Sequence, residues 1–398
     1  MADPNHLVSE RLPLYWRLAP ENSDSPIGIE RLPFKFANQA PNWLLTQEVT
    51  SSLREALSRI YAADANIGYL QPGYEIAAGY LRDFVDFILE FLPSYGAVRA
   101  LEVGCGGCEV LDHLSQLGLE VLGIDPSPVA RRFADQKGID LLQEDFWQAQ
   151  VETKFHLAFC SDVLEHVENP VSFLNRLSSF VLDGGTIAIA VPDCTESLAL
   201  GDVSFAMHQH INYFSDSSLR YCMQLSGLTE ITVKKSAYGG SLYASGRVRA
   251  RVIESVSDRE FDNSPITLEA SILERTNFLK LFPHKLRSVR SLVSTLILEK
   301  ESVGFYVPLR ALPFVAGLSG DSFGGSIRFF DDTEHWHNKY FDGCKIPIEN
   351  FSDLRKSPPD HLFVMSLTFA DVIMRKVMSA GVQLRSLRLL RSLITESD

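Results

Sequence analysis

The residues best suited to chemistry fall into two groups. In the first, Leu101 to Leu111 read LEVGCGGCEVL, with Cys105 and Cys108 set around glycines. A Cys-x-x-Cys points either to a metal or redox site, or to a glycine turn that lets backbone approach a ligand. No second pair of cysteines or histidines stands at ligand spacing, so the metal reading lacks its other half. What accompanies the turn is a set of acids: Glu102, Asp125 in GIDPSP twenty-one residues after Gly104, Asp145 in EDFW and Asp162 in CSD. An acid about 20 residues beyond such a turn reaches ribose hydroxyls in nucleotide-binding sheets. The second group is His208 and His210 in MHQHINYFSDSS. An imidazole with its ordinary pKa of roughly 6.5 is largely neutral at physiological pH and able to accept a proton.

Both groups need a scaffold. Between Val98 and Val252 the runs VRALEV, EVLGID, HLAFCSD and GGTIAIAVP alternate with amphipathic segments, and LTEITVKK and SLYASGRVRARV follow as a late pair. Strands alternating with helices predict a doubly wound α/β domain with a largely parallel sheet. In such sheets the ends of successive strands converge on one ligand crevice, which would collect Glu102, Asp125, Asp145 and Asp162. A dinucleotide's pyrophosphate would be repelled there, whereas S-adenosyl-L-methionine carries a sulfonium cation and no phosphate. The turn also departs from G-x-G-x-x-G, since Glu109 stands at the third glycine position.

The net charge of −13 argues against nucleic-acid or anionic-membrane partners, which are held mainly by Lys and Arg. No run of eighteen apolar residues occurs, and the first residues lack the basic and apolar regions of a signal peptide, which predicts a cytoplasmic protein. The six cysteines have no framework spacing and read as free thiols. We divide the chain into an N-terminal irregular and helical region (1–95), a nucleoside-binding domain (96–252), a helical connector (253–300) that Pro283 should break or kink, and a second, C-terminal α/β domain (301–398). The segment GVQLRSLRLLRSLI fits a strand or a short helix equally well.

Taken in order, ALEVGCGG, GIDPSP, DFW and FCSDVLEHVENPVSFL resemble the successive motifs of class I S-adenosylmethionine-dependent methyltransferases. The resemblance implies that Glu102, Gly104, Cys105 and Gly106 line the methionine part of the cofactor and that Asp125, with Pro126 beside it, holds the ribose. It places Asp145 and Phe146 against the adenine, and Cys160, Ser161 and Asp162 beside the methionine portion. Cys108 stands where many members have a third glycine.

HINYFS, YGGSLYA and the C-terminal run from RFFDDTEHW to FADVI narrow the resemblance to the sugar C-methyltransferases that act on nucleotide-linked keto-deoxysugars, over roughly Ser58 to Met378. Members usually open with a cysteine-rich zinc segment. With no cysteine before Cys105, no metal is expected. Gln209 replaces a glutamate, Met207 a tyrosine and Tyr238 a histidine, and the C-terminal glycine turn survives only as GFYVPLR, with Arg310 keeping a basic position.

The resemblance implies that His210 removes an α-proton, that Tyr238, Tyr213, Tyr69 or Tyr74 donates to the enolate, and that His208 is a second catalytic candidate. Oxygen methylation of a sugar or natural-product hydroxyl, with the same base, is the alternative. A non-catalytic assembly subunit that only binds the cofactor is the third reading. The partner throughout is a small molecule. A zinc ion on the His-x-His with Asp216 or Cys222 follows no recognised spacing.

Overall fold

In the computed structural model the described residues are 6–13, 18–19, 31–37, 41–62, 75–92, 97–249, 265–316, 325–341 and 344–396. Tyr69 and Tyr74 lie outside them. Two helices, α1 (Ser51–Ala62) and α2 (Glu75–Leu89), precede a sheet of seven strands: β1 (Arg99–Val103), β2 (Glu120–Ile124), β3 (Asp140–Leu142), β4 (Phe155–Ser161), β5 (Val181–Pro192), β6 (Thr229–Lys235) and β7 (Ser241–Arg247). Their order is β6-β7-β5-β4-β1-β2-β3, parallel except for β7, which runs antiparallel to both β5 and β6. A dinucleotide fold continues in parallel at that edge. Here the reversed β7 brings the turn from Ser236 to Gly240 round to the carboxyl ends of the parallel strands, where Asp193 N–H donates to Gly240 O at 3.0 Å.

The intervening helices are α3 (Glu109–Gln116), α4 (Pro128–Lys137), α5 (Pro170–Ser178), α6 (Thr195–Leu200) and α7 (Asp216–Leu225). Their starts are written locally. Ser127 accepts from Val129 N–H and Asn169 from Ser172 N–H, each with proline in the first turn, and Ser215 and Ser218 form a capping box. Apolar side chains of α2, α3 and α4 cover one face of the sheet and those of α5 and α7 the other, so it is doubly wound.

After it comes α8, one helix from Pro265 to Leu298 that runs through Pro283. The predicted break does not occur there. Phe278, Phe282, Leu286, Val289, Val293 and Ile297 form a buried stripe at helical spacing, with Phe36 edge-on to both Phe278 and Phe282. That packing outweighs the roughly 3 kcal/mol a mid-helix proline costs.

The C-terminal sheet contains β8 (Val303–Tyr306), β9 (Ile327–Phe330), β10 (Ile348–Glu349), β11 (His361–Val364) and β12 (Ser386–Leu389), all parallel in the order β10-β9-β8-β11-β12. The ambiguous tail is both things in turn, β12 and then a helix over Leu390–Thr395. The N-terminal region is also more regular than its composition implies: His6–Pro13 pairs with Arg31–Lys35, and Leu45–Thr46 pairs with Asn212–Tyr213. All six cysteines are free and buried. Among the described residues no helix is long and apolar enough to cross a membrane.

Candidate active site

β1 ends in Val103 and the chain turns through Gly104, Gly106 and Cys108 at φ of 74°, 48° and 56°. A Cβ on Gly104 would lie 2.5 Å from Val163 Cγ2, so only glycine lets this turn rest on the loop after β4. Cys108 occupies the same left-handed region and caps α3 without a side-chain bond. Its sulfur lies 3.7 Å from that of Cys105, both packed into the core beneath the turn. Asp125, at the end of β2, accepts the Gly106 N–H at 2.9 Å and the Ser127 N–H at 2.8 Å, joining the first two strand ends.

Glu102 and Asp125 lie close together here, at an electrostatic cost. Glu102 is 2% exposed, and its Oε2 has no hydrogen-bond partner. Burial, then the nearby Cys108 and Asp125, hold it well above the usual carboxylate range, with Lys137 opposing. Burial also raises Asp125 against the pull of its two backbone donors. Asp162 sits at the rim in a left-handed conformation (φ 54°), and desolvation by its surroundings moves it up to about 6. Cys160 is fully buried on β4 and Ser161 donates to Asp162. Pro126 is exposed after β2.

Asp145 accepts the Trp147 N–H at 2.8 Å on the exposed side. The Phe146 ring, expected against an adenine, is turned inward instead. It packs 4.7 Å from Phe173 and 6.0 Å from Phe180, with Arg176 over its face.

The two histidines separate. His208 is fully buried, with Nε2 facing Leu12 O and Leu32 O and Nδ1 facing the Gln47 amide, so it ties the N-terminal strands to the domain and does not reach the cleft. His210 points the other way, its ring 5.0 Å from that of His166. The Ile211 and Asn212 N–H groups both donate to the Glu165 carbonyl, at 2.7 and 2.9 Å, which brings the two loops together. His166 Nδ1 contacts Gln209 O at 2.8 Å.

Burial, then the nearby His166 and Arg310, push His210 well below the ordinary imidazole range, so it is neutral and able to accept a proton. Arg310 comes from the turn after β8, so the C-terminal domain contributes to this end of the cleft. Glu165, His166 and Arg310 were not singled out as a group by sequence. The LEH motif was visible, but its partners lie 44 residues and more away. Tyr213 OH donates to Met207 O, and Tyr238, 46% exposed, lies against Tyr80 rather than the histidines. Arg247 and Arg249 bond to Gly184, Thr186 and Glu230, far from this end. Asp216 and Cys222 do not join His210: Asp216 pairs with Arg220, and Cys222 is a core residue of α7.

Residues 74–233 match the family described as methyltransferase domain. The chain carries an S-adenosylmethionine-dependent methyltransferase domain. Among relatives, the methyltransferase is 24% identical over 312 residues to the C-methyltransferase NovU of Streptomyces niveus, covering 74% of this chain and 72% of that one. It is 26% identical over 215 residues to a ubiquinone biosynthesis O-methyltransferase of Maricaulis maris, covering 48% of this chain and 84% of the relative. Among solved structures, the N-methyltransferase NodS of Bradyrhizobium japonicum, in complex with S-adenosyl-L-homocysteine, aligns at 18% identity over 50% of this chain and 99% of NodS, with a TM-score of 0.37.

The methyltransferase's own residues fit its cofactor. The glycine turn is bare where a side chain would intrude, and the orphaned Glu102 Oε2 and the raised carboxyls of Asp125 and Asp162 are groups that a cation would return to their ionised state.

Proposed function

We propose that the protein methylates a carbon next to the ketone of a nucleotide-linked keto-deoxysugar or a related small molecule, with His210 as the base. S-adenosylmethionine supplies a methyl group activated on a sulfonium. Glu102, Gly104, Gly106 and Asp125 hold the cofactor on the β1–β2 side, while Asp162 and Cys160 flank its methionine end. His210 takes the α-proton. Burial keeps it neutral at physiological pH with a lone pair to accept the proton, at a cost in basicity that the positioning of the acceptor beside it must make up. Arg310, close enough to influence His210, would stabilise the enolate oxygen or an anionic group of the acceptor. Tyr238 stands at the rim as a further donor.

The observation that carries this reading is the convergence of His210 and Arg310 from two different domains. The similarity to a C-methyltransferase supports it, since that alignment extends over 74% of the chain, well beyond the methyltransferase domain. The O-methyltransferase relatives favour a second reading, in which His210 deprotonates a hydroxyl instead. Solvent deuterium separates the two: the enolate route exchanges the carbon-bound proton of a keto-sugar when the enzyme is present, and the His210→Asn variant does not. Methyl transfer without any such exchange would leave oxygen methylation in place.

A further inference from the structure

We propose that Glu165, His166 and His210 form a site for one divalent first-row transition-metal ion of the zinc kind, and that the bound ion switches methyl transfer off. Ligand atoms of the three residues all lie within 4.8 Å of one another. The donor set is two half-buried imidazoles and one buried carboxylate. Zinc takes this set where it keeps an exchangeable position.

Three details of the geometry point to a cation rather than to a chance cluster. First, His166 Nδ1 lies 2.8 Å from Gln209 O. A carbonyl only accepts, so the ring donates there, with the Asp162 main chain as a second hydrogen-bond partner of His166, and Nε2 lies on the Glu165 side at 3.7 Å from Oε1. Histidines that bind metals are oriented in this way by a backbone carbonyl. Second, Glu165 is 1% exposed, yet its Oε2 has no partner in the protein. A buried carboxyl oxygen with nothing to bond is costly unless a ligand completes it. Third, the frame is fixed. The Glu165 carbonyl accepts from both Ile211 and Asn212, and the Asn212 side chain donates to Leu164 O and Val167 O at 3.1 and 2.6 Å. His210 cannot drift from His166 without breaking these bonds. Arg310 is the opposing group, since its positive charge reaches His210 and weakens a cation there.

The regulatory consequence rests on the reading of His210 as the base. One lone pair on His210 either coordinates the ion or takes the acceptor's proton, and it cannot do both. The test uses the full chain, stripped with a chelator and titrated with Co2+ as a visible probe. One equivalent should bind with ligand-field absorption, Zn2+ should displace it, and Zn2+ should inhibit methyl transfer over the same concentration range, reversibly on chelation. Glu165→Gln and His166→Asn should weaken Co2+ at least tenfold while S-adenosylmethionine binding persists, which reports that they are folded. Arg310→Met should tighten it.

Absence of a one-to-one Co2+ complex, or equal affinity in both variants, would overturn the site even if His210→Asn abolishes transfer. If Co2+ and Zn2+ bind as described and transfer continues at saturation, the switch is overturned together with the base assignment, and the site alone stands.

Discussion

Lowering the pH from 7 to 5 should weaken S-adenosylmethionine binding by at most about tenfold, with Asp162 setting the slope. The carboxyl is raised to about 6 by desolvation in the free protein, against a weak opposing bond from Ser161. A sulfonium or ammonium group favours its ionised form, so binding draws on the deprotonated fraction. With a pKa of about 6, that fraction is roughly nine-tenths at pH 7 and one-tenth at pH 5, a difference of at most about tenfold, since solvent at the exposed rim screens the carboxyl. The sign follows from the direction of the shift: a carboxyl raised by burial releases its proton late, so affinity climbs as pH rises through 6. Isothermal titration at several pH values between 5 and 7 measures it, a window that stays below the titration of the ligand's own amino group. Asp162→Asn keeps a residue that tolerates the left-handed backbone, and it should bind more weakly at pH 7 with a flattened profile. An unchanged slope in that variant, or a wild-type affinity that falls as pH rises, would refute the placement of Asp162 beside the cationic end of the cofactor.

The glycine turn offers a pair of opposite outcomes. Gly104→Ala should abolish cofactor binding in titration calorimetry, because its Cβ meets Val163 Cγ2 at 2.5 Å in a conformation that already disfavours a side chain. Cys108→Gly should bind as well as wild type or better, since Cys108 sits at φ 56°, while denaturant unfolding changes little because the lost buried side chain offsets the relieved backbone strain. Arg310→Met should leave cofactor affinity intact while raising KM for the acceptor several-fold, measured by steady-state kinetics.

Legibility in the sequence followed locality. The glycine turn, Asp125 and the capped helix starts at Ser127, Asn169 and Ser215 depend on residues a few positions apart, and the doubly wound sheet follows from alternating runs. Features decided by distant packing were not legible. His208 and His210, two residues apart, are both catalytic candidates by sequence, with His210 preferred, but the partners that separate them are Leu12, Leu32 and Gln47 on one side and His166 on the other. Phe146 is expected beside an adenine by resemblance, and Phe173, Arg176 and Phe180 turn it inward. Pro283 obeys its local preference on paper and loses to a stripe of six buried apolar side chains. Gln209 looked like a loss of chemistry, yet what it offers the site is its main-chain oxygen, which any residue would provide.

The helix α8 spans 34 residues, about 50 Å at 1.5 Å per residue, and packs against α6 and α7 of the methyltransferase domain, the C-terminal strand β8 and the final helix. Through Phe36 it also grips the N-terminal strands. Evolution and protein engineers alike would therefore find this enzyme hard to recombine by cutting between its two sheets. An exchange of acceptor specificity that swaps the C-terminal domain alone would sever the shared apolar seam, whereas a cassette carrying α8 and the first fifty residues with it would travel intact.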